Sequence, residues 1–143
     1  MKVLINVLLM SSALAYNCFT FRFPLNLGDA SGNSVVTHLH YDGSKYYAGG
    51  YSTASSLKVA GMSQSAFVVS LDGIFNWVWG KSFKDDLTPS SGRVTLINDM
   101  QVVGGNLVVL ATGTQNKNYY IMKMNTGTGA VISMQYFMAS SVS

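Results

Sequence analysis

Two histidines are the first residues whose spacing suggests chemistry. His38 and His40 are separated by one residue, so on a β-strand both side chains point to the same face. Such a pair can supply two ligands to zinc, but protein zinc sites ordinarily use three or four. The chain has no other histidine, no glutamate and no nearby cysteine to complete the set. We therefore interpret the pair as polar residues on the wetter face of a strand, and we predict no metal site.

Acidic residues offer a second candidate chemistry. Asp85 and Asp86 are adjacent, and glycoside hydrolysis uses two carboxylates that flank the substrate at a defined separation. Neighbouring residues rarely provide that separation, whereas aspartate is common in turns. The segment 29–33, Asp-Ala-Ser-Gly-Asn, has some character of a calcium loop but no distal glutamate. Both segments are predicted to be loops.

Nucleophile and phosphate motifs are missing from the sequence. There is no G-x-S-x-G elbow, which serine hydrolases of the α/β type need. Cys18 could form a dyad with a histidine, but its place in a phenylalanine-rich strand favours a structural role. The glycine pairs 49–50 and 104–105 are not followed by Lys-Ser/Thr, as a phosphate loop would be. We predict no catalytic residues, no cofactor and no enzymatic activity.

Aromatic residues remain as possible ligand-binding groups. Aromatic faces can stack on sugar rings, and four residues are candidates for this role: Trp77, Trp79, Tyr51 and Tyr119. Trp77 and Trp79 are expected to share one face of their strand because they are two residues apart. The alternative is that these bulky side chains pack between sheets, where aromatics dominate core energetics.

Composition favours strands and disfavours nucleic acid as a partner. Valine, isoleucine, threonine, tyrosine and phenylalanine dominate the chain, and these residues fit a pleated, half-buried surface. The net charge is only +3. Its basic residues are scattered, whereas nucleic-acid binding needs a clustered basic face.

The first fifteen residues have the pattern of an export signal. Lys2 is followed by an apolar run over 3–10 and by the small-residue exit Ala13-Leu14-Ala15, in the order that secretory signals show. The run is shorter than the roughly 20 residues that span a bilayer, and no later segment is long and apolar enough. The alternative is a buried first strand or short helix. We predict a secreted, extracellular protein without a membrane span, and Cys18 as its only cysteine excludes an internal disulfide.

Alternation and turn signals predict strands along the rest of the chain. A first strand over 19–23 ends at Pro24, and Asp42-Gly43, Asp72-Gly73 and Gly104-Gly105 mark tight turns. The predicted strands that follow are 35–41, 45–52, 66–71, 75–83, 94–103, 107–113, 119–124 and 130–138.

The predicted strands repeat. Residues 46–53 lie over 107–114 at an offset of 61, residues 67–72 over 120–125 at 53, and residues 77–83 over 131–137 at 54. The differing offsets place length changes in the loops. Each unit would contain four short strands joined by turns, which is the content of one β-propeller blade.

Ala66-Phe67-Val68-Val69-Ser70-Leu71-Asp72, followed by Trp79-Gly80-Lys81-Ser82-Phe83, resembles the bacterial-type β-propeller repeat. That family has an A-F-V-x-x-L-D strand and a W-x-K-x-F strand, and 47–51 resembles its V-A-G-Y strand. The resemblance covers about 35–137 and is weaker in the second copy, where Ser133 and Gln135 replace Trp and Lys. It implies an extracellular, all-β protein without shared catalytic residues. We expect one domain over 16–143, with four-stranded antiparallel blades at about 34–83 and 94–138 and one extra N-terminal strand.

Two blades leave two open flanks. Known propellers use about four to eight blades, and repeat units cannot cover their apolar faces alone. Either the chain is a piece of a longer array, or it associates with itself or with other repeat-containing chains. The expected function is a secreted, non-catalytic binding or structural module. The alternative is a carbohydrate-binding lectin assembled from two-blade chains.

We predict that the mature protein begins at Tyr16, because cleavage follows the Ala13-Leu14-Ala15 exit. Amino-terminal sequencing of secreted material would show this residue first. Secreted material that still begins at Met1 would contradict both the signal and the extracellular assignment.

Overall fold

The computed structural model describes residues 29–58, 62–83, 94–113 and 118–138. Their regular elements are all β-strands, with no helix among them. In these ranges, accordingly, nothing has the length and hydropathy of a membrane-crossing helix. The strands are β1 (Ser34–Tyr41), β2 (Lys45–Ser52), β3 (Ser65–Asp72), β4 (Trp77–Ser82), β5 (Val94–Val103), β6 (Asn106–Gly113), β7 (Asn118–Asn125) and β8 (Val131–Met138).

The strands form two antiparallel sheets in simple sequence order. The first sheet has the order β1-β2-β3-β4 and the second sheet the order β5-β6-β7-β8. The all-β class and the two four-stranded units predicted from alternation are therefore confirmed. The export signal at 1–15, the extra strand at 19–23, Cys18 and the Asp85-Asp86 pair lie outside the described residues.

The two sheets share two bulges at matching positions, although β5 has one further bulge, at Thr95, without a counterpart in β1. The β1–β2 ladder skips Thr37, and the β5–β6 ladder skips Asn98 at the matching position. The β3–β4 ladder skips Val78, and the β7–β8 ladder skips Ile132, its counterpart at the offset of 54. Because bulges bend and twist a strand at a specific place, matching bulges give the two sheets the same shape.

Turn residues fix the register of each hairpin. Gly104 and Gly105 have φ values of +55° and +75°, the left-handed values that a two-residue type I′ turn requires at both positions. Asp42 closes the β1–β2 turn by accepting hydrogen bonds from the backbone N–H groups of Ser44 and Lys45, both at 2.8 Å. These local contacts place the alternating apolar residues of each strand on a consistent face.

The main hydrophobic core lies between the two sheets. The second sheet supplies most of it, and its strand β5 is the one that contacts β1, β2 and β3. Ile97 and Met100 of β5 approach Gly49 of β2 so closely that an added Cβ would lie 2.8 Å from Ile97 Cγ2 and 3.0 Å from Met100 Cε. The buried members are Tyr47, Ala66, Val68, Trp79, Phe83, Val94, Ile97, Met100, Leu107, Val109, Ala111, Tyr120, Met122 and Met124.

Trp79 joins the sheets at the other end of this core. Its ring lies against Gly129, where an added Cβ would be 2.4 Å from the ring, and its indole N–H donates to the Thr126 carbonyl oxygen at 3.0 Å. The expectation that Trp77 and Trp79 share a face is wrong. The bulge at Val78 pairs them with the consecutive residues Leu71 and Ser70, so they lie on opposite faces. Trp79 is 8% exposed and Trp77 is 52% exposed.

Replacement of Trp79 by alanine should lower the free energy of unfolding by about 3–5 kcal/mol, because it opens a cavity between the sheets. Trp77→Ala in the same strand is the matched control, with an expected loss below about 1 kcal/mol. Urea unfolding followed by circular dichroism measures both values. Equal losses for the two variants would contradict the placement of Trp79 at the junction.

Candidate interaction surface

The second sheet turns an apolar face to solvent on the side away from the first sheet. We call this surface the open face and define it by Val108, Leu110, Tyr119, Ile121 and Phe137. Strand β7 alternates strictly between buried and exposed residues, so Tyr119 and Ile121 point outward while Tyr120 and Met122 point into the core. Leu110, Tyr119, Ile121 and Phe137 are between 39% and 48% exposed.

Cross-strand pairing makes the open face continuous. Leu110 pairs with Ile121 and Tyr119 pairs with Phe137, so the apolar side chains stand next to one another across β6, β7 and β8. Lys123 and Gln135 border the apolar residues, since they occupy the outward positions of the neighbouring pairs. A contiguous apolar surface with a polar border is typical of an interaction site.

A shallow depression adjoins the open face along β5 and β6. It has a volume of about 150 Å³ and is lined by Asp99, Met100, Gln101, Val103, Val108 and Leu110. Ligand sites for small molecules are usually concave and of about 300–1,000 Å³. The depression is therefore better suited to a side chain from a partner than to a bound small molecule.

Polar side chains of β1 reach the free edge of β5 at the junction of the sheets. Thr37 Oγ1 donates to the Ile97 carbonyl oxygen at 2.6 Å, and the Val102 N–H donates to His40 Nε2 at 3.3 Å. His38 Nε2 lies 3.0 Å from Asp99 Oδ1. These contacts satisfy backbone groups of an edge strand, which would otherwise be open to pairing.

Both histidines therefore serve the junction of the sheets. Within the described residues no group of three or more His, Cys, Asp or Glu side chains is placed to hold a metal ion. His40 accepts a hydrogen bond at Nε2 from the Val102 N–H. Both histidines therefore contact β5 and do not lie on a solvent-exposed face of β1, where the sequence pattern predicts them. The sequence of β1 alone did not indicate that β5 would be its neighbour.

Asp42 is held by its turn and by a buried tyrosine. Burial would raise the pKa of its carboxyl group, but hydrogen bonds from Lys45, Ser44 and Tyr47 outweigh that effect and lower the pKa to about 2. The Tyr47 hydroxyl donates to Asp42 Oδ2 at 3.0 Å. Burial, with a further contribution from Asp42, raises the pKa of Tyr47 to about 12.

Two other carboxylates are also occupied by local hydrogen bonds. Asp29 accepts from Ser31 and from the Ser56 backbone N–H, and these bonds lower its pKa. Asp72 accepts from the backbone and side chain of Asn76, which lowers its pKa as well. All three aspartates therefore stabilise turns or loops, as the sequence predicted for the segment that begins at Asp29.

The four aromatic residues singled out in the sequence lie in different places. Trp79 is buried between the sheets, and Trp77 is exposed on the opposite face of β4. Tyr51 pairs with Ala66 and is partly buried, on the side of β2 that faces the second sheet. Tyr119 belongs to the open face. The structure does not bring these rings together into one stacking platform.

The open face was not identified from the sequence. Its signal was the apolar residue at nearly every position of β6, from Leu107 to Ala111. A strand buried on one face only would alternate with polar residues.

A scan against models of protein families, a search of curated proteins and a search of solved structures found no match to this chain.

The lowered pKa of Asp42 predicts how the stability of the protein depends on pH. Its folded pKa of about 2 lies below the ordinary value of 3.8, so its contribution is present above about pH 4 and is lost as the pH falls through 2. Asp42→Asn should be less stable than the parent at pH 6 and should lose less stability between pH 4 and pH 2. Urea midpoints across this range measure the difference. Parallel curves for the two proteins would show that Asp42 makes no such contribution.

Proposed function

We propose that the chain is a secreted, non-catalytic binding or structural module built from β-propeller-type repeats. The observation that supports this proposal is the open face, a continuous apolar surface on the second sheet. The equivalent residues of the first sheet pack against the second sheet. A surface of that kind is suited to another sheet of the same repeat.

The repeat resemblance is supported by the shape of the sheets. Both are four-stranded, antiparallel and in sequence order, as a propeller blade is. Their apolar faces stack on each other through one core. On this proposal the chain contributes two blades to a larger array, and association of two, three or four chains would supply the roughly four to eight blades of known propellers.

The non-catalytic part of the proposal rests on what the ionisable side chains do. Asp29, Asp42 and Asp72 accept hydrogen bonds from their own turns or loops. His38 and His40 contact β5 at the junction of the sheets. Groups held in this way stabilise the fold, and general acid–base catalysis needs a group that reaches a substrate proton.

The secreted location rests on the export-signal pattern at 1–15, and the single domain over 16–143 follows from it.

A carbohydrate-binding lectin is the second candidate function. The observation that favours it is the exposure of Trp77 and Tyr119, since exposed aromatic rings can stack on sugars. A glycan array should separate the candidates. Glycan binding by the parent protein that Trp77→Ala or Tyr119→Ala abolishes, with the fold retained, would establish the lectin. The absence of glycan binding agrees with the first proposal, a binding or structural module that associates with other repeats.

We predict that the purified mature protein contains more than one chain, because burial of the open face favours association. Light scattering over a range of concentrations would give the mass, and one mature chain has less than the 15.4 kDa of the full sequence because residues 1–15 are removed. A stable, folded monomer at all concentrations would contradict the proposed self-association.

A further inference from the structure

The matching registers identify which residues of the two sheets are equivalent. Val36 lies opposite Gly50 and Ile97 lies opposite Ala111, and Gly50 and Ala111 correspond at the offset of 61. In the same way Leu39 of β1 corresponds to Met100 of β5 through their partners Ala48 and Val109. Gly49 of β2 corresponds to Leu110 of β6. The part of the contact that β5 makes with β2 can therefore be transferred position by position to β1 and β6.

The residues that would make the equivalent contact are exposed in both sheets. Within the chain, Ile97 and Met100 pack on Gly49 and are 0% and 2% exposed. Their counterparts Val36 and Leu39 are 50% and 59% exposed, and Leu110, the counterpart of Gly49, is 39% exposed. We call Val36, Leu39 and Tyr41 the β1 patch. The β1 patch and the open face therefore correspond to the two surfaces that meet between the sheets, but both are exposed to solvent.

The two halves differ in size from the contact within the chain. Gly49 leaves room for the large side chains of Ile97 and Met100. Where Leu110 replaces glycine, the smaller Val36 replaces isoleucine and Leu39 replaces methionine. Valine is only one methylene smaller than isoleucine and leucine matches methionine in size, so the contact at Leu110 must be more widely spaced than the contact at Gly49.

Polar residues on the edge strands β1 and β5 are also equivalent to one another. Thr37 donates to a β5 carbonyl oxygen and His40 accepts from a β5 N–H. Their counterparts Asn98 and Gln101 carry a donor and an acceptor in their amide groups. Asp99 is the counterpart of His38, so a following copy of β1 would bring its His38 towards Asp99. The position-by-position equivalence of β1 with β5 and of β2 with β6 favours a second copy of this chain over an unrelated apolar partner.

We propose that a second copy docks its β1 patch onto the open face, with Val36 and Leu39 of that copy against Leu110. This inference rests on the self-association proposed above and specifies its geometry. The contact is heterologous, because the two surfaces differ, and such contacts repeat into a ring or an open filament. The second copy uses β1 because Ala48, Phe67 and Val69, farther across the same face, are already buried within the chain.

Disulfide trapping tests the pairing residue by residue. An ideal Cβ on Gly49 lies 3.2 Å from the Ile97 Cβ, close to the roughly 3.5–4.5 Å Cβ separation of disulfides. The counterparts are Leu110 and Val36. In a Cys18→Ser background, a mixture of Leu110→Cys and Val36→Cys proteins should form a disulfide-linked dimer that contains one of each.

The control for trapping is Ile74→Cys in place of Val36→Cys, since Ile74 is as exposed as Leu39 but lies in the β3–β4 turn. Little crosslinking is expected with this control or with either cysteine variant alone. Equal crosslinking by the control, a dimer of Val36→Cys with itself, or no mixed dimer would each overturn the proposed pairing.

Charge substitutions test the same contact without a crosslink. Leu39→Asp and Leu110→Asp each remove one half of the contact and should reduce the mass in light scattering to that of one chain, with the strand signal in circular dichroism retained. Ile132→Asp, at an exposed bulge of β8, should leave the mass unchanged. A mixture of the first two variants retains one intact contact and should give a dimer.

The outcomes separate this inference from the broader proposal. If the parent protein associates but Leu39→Asp has the mass of the Ile132→Asp control, the β1 patch is not used and this inference fails, while self-association stands. If the parent protein is a monomer at all concentrations, both fail.

Discussion

The close approach of β5 to β2 at Gly49 is the constraint on which the rest of the structure depends. Only a residue without a side chain allows Ile97 and Met100 to come so near the first sheet. Their burial brings the edge of β5 within reach of Thr37 and His40. At the far end, Trp79 reaches the turn after β7 because Gly129 leaves space for its ring. The two sheets therefore pack at two glycines, one in β2 and one in the turn between β7 and β8.

Local pattern predicted most of the architecture. Alternation and turn residues predicted the observed ends of β2 and β5, and two adjacent glycines predicted the tight turn that joins β5 to β6. The opposite faces of Trp77 and Trp79 could not be read in the same way, because the bulge at Val78 depends on how β4 pairs with β3. Likewise, the partners of His38 and His40 lie on β5, about 60 residues away, and only the packing of the sheets brings them together.

The candidate surface was harder to predict than the fold for a physical reason. An apolar residue in a strand indicates burial, but it does not tell whether the covering sheet belongs to the same chain. Leu107 and Leu110 look alike in the sequence, yet Leu107 is buried against the first sheet and Leu110 faces solvent. The histidine pair that suggested a metal site, by contrast, lies at the junction of the sheets, where His40 accepts a hydrogen bond from β5.

The central claim is that the contact between the two sheets recurs between copies of the chain. A structure of the assembled wild-type protein, determined under conditions where light scattering shows association, tests it most directly. The account predicts that the β1 patch of one copy lies on the open face of the next, with Val36 and Leu39 near Leu110. Two open faces packed against each other about a two-fold axis, or an open face left in solvent, would contradict it.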